Sequence, residues 1–142
     1  MTKSDELVIG LEHVPFTDSP LTITDFVRYQ GASGDMNPIH HDSEFARAAG
    51  YPEPFAVGMM PAGVLGTYLT DWLGASNLRL FSIQFREQAW PGDVLTYKAR
   101  VISVEHEELC DRVELASEIL RQTGGTFANG RAVFEFPRER AS

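Results

Sequence analysis

Ser33-Gly34-Asp35-Met36-Asn37-Pro38-Ile39-His40-His41-Asp42 places two acids, an amide and two imidazoles around a glycine and a proline. Pro38 removes a backbone donor and disfavours helical geometry at Asn37, so the stretch reads as a shaped loop rather than a helix interior. On a helix, Asp35 and His40 would point to different sides. In a folded loop they can converge on one small volume. An Asp and a His that both reach one water make a general acid–base pair. The bland reading of the same residues is a turn, because Asp, Gly, Asn and Pro are the residues turns use.

Metal readings fare worse. Asp35-x-Asn37 opens like a calcium loop, but Ile39 and His40 stand where a third ligand and the required glycine belong. A zinc site from Asp35, His40, His41 and Asp42 would need adjacent histidines to converge on one ion without cysteine partners. No metal is expected.

Upstream of the loop, Leu7, Ile9, Leu11, Val14 and Phe16 read as a short strand kinked near Glu12–His13, with His13 exposed. Asp18-Ser19-Pro20 turns the chain. Thr22 or Thr24 can cap a helix carrying Phe26, Val27 and Tyr29, which leads to Gly31 and the loop. Downstream, Ser43 is placed to cap a short helix over Glu44 to Ala49, closed by Gly50. Tyr51-Pro52-Glu53-Pro54 is an extended connector.

A longer helix follows Val57-Gly58-Met59-Met60. Pro61 suits its first turn and Gly74 its end. Val64, Leu65, Tyr68, Leu69, Trp72 and Leu73 cover more than one face, so this helix is expected to be the buried central one. Gly63 and Gly66 cost about 1 kcal/mol each relative to alanine within a helix. Close packing against a sheet or a ligand would justify that cost.

From Leu78 the apolar period becomes two. Leu80 to Arg86 alternates, Trp90-Pro91-Gly92-Asp93 turns, and Val94 to Val104 presents Leu95, Tyr97, Ala99 and Val101 on one side. Leu109 to Thr123 reads as a strand, although its Leu, Ala and Glu also suit a helix. Phe127 to Phe136 follows Gly124-Gly125 as a last strand. The predicted architecture is α+β, an antiparallel sheet with one long buried helix.

The chain has 142 residues, which suits one domain over 1–142 with a substantial core. A hydrophobic fraction of 43% and a charged fraction of 23% are those of a globular protein rather than a disordered one. The net charge of −8, without a basic cluster, argues against nucleic acid and anionic membrane as partners. Cys110 is the lone cysteine, which forbids an internal disulfide and suits a reducing cytoplasm; it is read as a small buried hydrophobe. The polar Met1 to Glu6 does not fit a secretory signal. Met59 to Ala75 is too short and too interrupted to span a bilayer. Only Met1 to Asp5 and Arg138 to Ser142 look like linkers.

Three blocks, in order, resemble the MaoC-like hydratase/dehydratase family. Tyr29-Gln30-Gly31-Ala32-Ser33-Gly34-Asp35-Met36-Asn37-Pro38-Ile39-His40-His41-Asp42 matches its aromatic, spacer, Gly-Asp-x-Asn-Pro-apolar-His motif. Gly58-Met59-Met60 looks like the start of its central helix. Phe85 to Leu95, with Trp90-Pro91-Gly92-Asp93, resembles its hairpin. The resemblance spans Ile23 to about Phe136.

The resemblance implies a hot-dog fold, one helix wrapped by a curved antiparallel sheet, paired into dimers. It implies (R)-specific enoyl-CoA hydratase or 3-hydroxyacyl-carrier-protein dehydratase activity. Asp35 and His40 would hold the catalytic water, with Asn37 supporting the loop and the Gly58 N–H binding the thioester oxygen. That last role fits the donors and dipole of a helix N-terminus. Some members carry a serine at the position of Gly66, which leaves acyl-chain length open. No cofactor is implied beyond coenzyme A or pantetheine as carrier of the substrate. Partners would be an acyl-CoA or acyl-carrier protein and a second hot-dog chain, identical or related. Alternatives are a hot-dog thioesterase, or the catalytic subunit of a heteromeric dehydratase. His41 reads as a solvent-side residue and His106 as part of a charged turn. Arg79, Arg86, Lys98 and Arg100 are candidates for phosphate contacts.

Overall fold

The computed structural model describes residues 4–138. The linker-like ends therefore fall largely outside the described residues. Ser4, expected in a linker, instead opens a short 3-10 turn, Ser4–Glu6, and its hydroxyl donates to Asp111.

The N-terminal segment lies along the free edge of a long strand. Gly10 N–H donates to Val101 O, Val101 N–H to Leu11 O, and His13 N–H to Ala99 O. Only Phe16–Thr17 (β1) is regular strand. The expected strand is interrupted by a turn at Ile9–Gly10, where Gly10 has a φ of 92°, and again at Val14–Pro15, rather than by a kink at Glu12–His13. Pro15 has no N–H to give, and the Val14 carbonyl is taken by the Tyr68 hydroxyl at 2.8 Å.

Helix α1, Ile23–Ser33, starts with a reciprocal capping box between Thr22 and Asp25. It passes Gly31, where the sequence suggested an end, and stops at Gly34, whose φ of 79° is the left-handed conformation a C-terminal glycine supplies. The motif stretch, expected to be loop from Ser33, thus leaves the helix at Gly34. Pro38–His40 forms a 3-10 turn capped by Asn37. Helix α2, Ser43–Ala48, is capped by Asp42 and not by Ser43: its carboxylate accepts from Glu44 N–H and Phe45 N–H.

Helix α3, Met59–Leu73, carries Pro61 in its first turn and ends at Gly74, and it buries Leu65, Tyr68, Leu69, Trp72 and Leu73. The sheet it packs on contains β2 (Leu78–Phe85), β3 (Leu95–His106), β4 (Cys110–Arg121) and β5 (Thr126–Pro137). Their order is β1-β3-β4-β5-β2 and the pairings are antiparallel. Of the expected strand Leu109 to Thr123, Cys110–Arg121 is strand, with Val113, Leu115, Ser117 and Ile119 buried at alternate positions, while Leu109 lies in the preceding bend. Leu95, Tyr97, Ala99 and Val101 are buried as expected. This is the hot-dog arrangement.

The helix approaches the sheet over a row of small residues. Ala99 pairs with Ser117, and Ser117 with Gly130. A Cβ on Gly130 would collide with the Ser117 hydroxyl and approach Leu65 to 3.1 Å. The glycine that permits close packing is therefore in the sheet. Gly63 and Gly66 do not serve that purpose: a Cβ on Gly63 would meet nothing within 4 Å, and one on Gly66 only Phe81, at 4.0 Å.

The Trp90–Asp93 turn is fastened from beneath. Gly92 has a φ of 89° and gives its N–H to Leu21 O at 2.7 Å. The Asp93 carboxylate accepts from Trp90 N–H, the Arg121 guanidinium and the Gln122 amide. Burial alone would raise its pKa, but these hydrogen bonds outweigh burial and hold it below the usual range.

Cys110 is half-buried at the start of β4 rather than in the core. Burial and the nearby Glu135 and Glu107 push its thiol pKa up, which disfavours a thiolate. His13 is half-buried too, not exposed: its ring stacks on Trp72 at 4.4 Å with planes 2° apart.

Candidate active site

The motif loop joins α1 to α2 and is folded largely by its own polar groups. Asp35 accepts from Asn37 N–H at 3.3 Å, and the Asn37 side chain accepts from Ile39 N–H at 3.1 Å. This is the Asx-type turn that the Asp-x-Asn-Pro spacing favours. Asp35 is exposed, whereas His40 is buried at 8%.

The orientation of His40 is decided by an acceptor. Its Nδ1 lies 2.7 Å from the carbonyl oxygen of Phe55. A carbonyl only accepts, so Nδ1 carries the proton and Nε2 of the neutral ring keeps its lone pair. The ring also meets Phe55 edge-on at 5.2 Å, and Phe55 packs against Tyr51 and Trp90. Ala56 N–H donates to Ala89 O, which fixes this segment beside the Trp90 turn.

Gly58 follows Phe55 by three residues, so it lies within about 11 Å of the His40 anchor even if the chain is fully extended. It occupies the N-cap of α3, where no side chain caps the helix. First-turn N–H groups of a helix lack intrahelical partners and sit at the positive end of its dipole. A Cβ on Gly58 would come 3.1 Å from the Phe85 ring, so a larger residue would crowd that ring.

An open cavity of about 760 Å³ runs along α3 from Met60 past Gly63, Val64 and Thr67, with His13 and Tyr68 also in its wall. Burial lowers the His13 pKa and pushes the Tyr68 hydroxyl up to about 12, so both are neutral at pH 7. Among the described residues no group of three or more His, Cys, Asp or Glu side chains is gathered as a metal site requires.

Asp35, Asn37 and His40 thus share one loop, and His40 is tied to the segment that delivers Gly58. The four basic residues considered for phosphate do not form one cluster. Arg79 is paired with Glu135 at 3.3 Å. Lys98 and Arg100 are on β3, separated from the β2 end of the sheet by β4 and β5. His41 is exposed as expected, yet its Nδ1 lies 2.8 Å from Gln30 Oε1. His106 is exposed and paired with Asp111.

Gln30 was not singled out from the sequence. A signal existed: it stands four residues after Phe26, on the buried side of α1. Phe55 gave less warning, because its contribution is a backbone carbonyl.

Residues 10–119 match the family model of the MaoC like domain, and the chain belongs to that family. It is 27% identical over 111 residues to an (R)-specific enoyl-CoA hydratase of Aeromonas caviae, covering 77% of this chain and 81% of that protein. It is 38% identical over 66 residues, 44% of its length, to the enoyl-CoA hydratase ChsH3 of Mycobacterium tuberculosis, but that match spans only 23% of the mycobacterial protein. Among solved structures, the (R)-hydratase from A. caviae involved in PHA biosynthesis superposes with a TM-score of 0.80 at 23% identity, over 92% of this chain and 98% of that one. A chain of the ChsH1-ChsH2 complex from M. tuberculosis gives 0.78 at 19% identity, over 91% and 98%.

Proposed function

We propose that the protein is a hydro-lyase interconverting trans-2-enoyl and (3R)-3-hydroxyacyl thioesters, carried by coenzyme A or an acyl carrier protein. The observation that carries this reading is the 2.7 Å contact between His40 Nδ1 and the Phe55 carbonyl oxygen. With Nδ1–H committed to the Phe55 carbonyl, Nε2 is the ring atom left to exchange a proton with water. Asp35, on the same loop, supplies a carboxylate.

In the hydration direction, water held between Asp35 and His40 adds its oxygen to C3 of the enoyl group. The π electrons move toward the thioester, whose oxygen gains negative charge. Gly58 N–H at the α3 N-terminus stabilises that charge, and such positioned donors are among the largest contributions to catalysis. The proton released from water returns to C2. Dehydration is the reverse.

A second hot-dog chain, identical or related, completes the assembly in this reading. Among the described residues strand β2 pairs with β5 on one side only, and α3 leaves Gly63 and Thr67 exposed along the cavity. The reading treats residues 1–142 as one domain acting in the cytoplasm. Among the described residues no helix is long and apolar enough to cross a membrane.

The test is crotonyl-CoA and longer 2-enoyl-CoA esters, followed by loss of the enoyl absorbance with the purified chain. Hydration supports the reading. Release of free thiol without hydration would make the protein a thioesterase instead.

A further inference from the structure

We infer that Gln30 and His41 form a clamp that positions the catalytic loop, an inference that rests on the function proposed above. Gln30 is 1% exposed, and both polar atoms of its amide are used. Its Nε2 donates to the Asn37 carbonyl at 2.9 Å. That carbonyl only accepts, so the amide orientation is fixed and Oε1 faces the His41 ring at 2.8 Å. His41 must then donate from Nδ1, which it can do whether its ring is neutral or charged.

The two bonds grip the loop on either side of the Pro38–His40 turn. Asn37, on one side, holds Asp35 through its own N–H. His41, on the other, adjoins His40. One buried amide on α1 thus sets the spacing between the segment bearing the carboxylate and the segment bearing the imidazole. Buried polar groups are costly unless satisfied, so the amide tolerates little movement of either partner. Gln30 and His41 are positioning residues; neither needs to touch substrate.

Two variants and one spectroscopic readout test this. Gln30→Met keeps the length of the side chain and removes both hydrogen bonds. Its kcat should fall about 10- to 100-fold, the scale of a small displacement of catalytic groups, while KM changes less than threefold. Gln30→Glu keeps the bond from His41, but its ionised carboxylate faces the Asn37 carbonyl with no proton to give. Protonation restores the donor, so the ratio of variant to native kcat should rise as pH falls. The titratable groups on the gripped loop are Asp35, His40, His41 and Asp42, and His41 touches the amide directly. Imidazole nitrogen NMR of the native chain should show His41 as the Nδ1–H tautomer, and Gln30→Met should lose it.

If Gln30→Met fails to fold, Gln30→Glu and the native spectrum still decide. A native kcat retained by Gln30→Met, a pH-independent ratio for Gln30→Glu, or an Nε2–H tautomer at native His41 would each overturn the clamp. A native chain with no hydratase activity would overturn the functional reading instead, and the two failures are separable.

Discussion

His40 donates its Nδ1 proton to the carbonyl oxygen of Phe55 across 2.7 Å. The acceptor belongs to the segment that runs into Gly58 and the start of α3. One short piece of chain therefore orients the imidazole and delivers the helix N-terminus proposed to bind the thioester oxygen. The Asp35–His40 pair should act as a unit. Asp35→Asn and His40→Gln should each lower turnover about 10²–10⁴-fold, the range for a positioned acid or base. The double variant should lose far less than the product of the two, because coupled groups are not additive. Steady-state kinetics on the three variants checks this.

The Asp93–Arg121 pair should matter for stability. The Asp93 side chain is 5% exposed and the Arg121 side chain 18%, at an N–O distance of 2.9 Å. Arg121→Met would leave a buried carboxylate without its main partner and should cost about 3 kcal/mol, the lower end for breaking a buried pair. Urea denaturation measures it. Asp93→Asn with Arg121→Met should cost less than the sum of the singles.

Acid sensitivity follows from two carboxyls held below their usual range. At Asp111, hydrogen bonds from His106, Arg138 and Ser4 outweigh burial and lower the pKa to about 2, and Asp93 is shifted in the same direction. A carboxyl with a depressed folded pKa contributes stability that is complete above its unfolded value, about 3.9. That contribution is lost as pH falls through the folded value. Thermal melts should be flat in this respect above about pH 5 and decline below about pH 4. Asp111→Asn should reduce that decline.

Gly92 has a φ of 89° with open space around its Cα, so the cost of a side chain there is backbone strain alone. Gly92→Val should destabilise by about 1–3 kcal/mol. Turnover per folded molecule should be near native. A variant that kept its melting temperature but lost turnover would make the turn part of the chemistry.

An unpaired edge strand invites another chain. Sedimentation at micromolar concentration should give a dimer or larger assembly, and dilution below its dissociation constant should lower specific activity. Full activity as a strict monomer would contradict the proposed assembly.

Much of the fold was legible because its signals are local. Pro61 and Gly74 bracket α3, and the alternation of Leu95, Tyr97, Ala99 and Val101 marks β3. The ambiguous Leu109–Arg121 segment needed tertiary context: pairing to β3 and β5 on both sides overrides its helix-compatible composition. Pro15 was a local signal for the break at Val14–Pro15, but the Tyr68 hydroxyl that takes the Val14 carbonyl lies 54 residues away in sequence. That Asp35 and His40 share one folded loop was legible, since its turns are closed by local contacts at Asp35 and Asn37. Gln30, His41 and Phe55 could not be read as a set, because their hydrogen bonds join α1, the loop and a distant carbonyl.

The configuration of the product tests the central claim most directly. If Asp35 and His40 hold one water on one face of the bound enoyl group, oxygen and proton arrive from that face. Hydration of crotonyl-CoA in deuterated water, resolved by chiral analysis and proton coupling, should give (3R)-3-hydroxybutyryl-CoA with syn addition. Anti addition would contradict the assignment of Asp35 and His40 to a shared water, and a (3S) product would contradict the proposed (3R) activity.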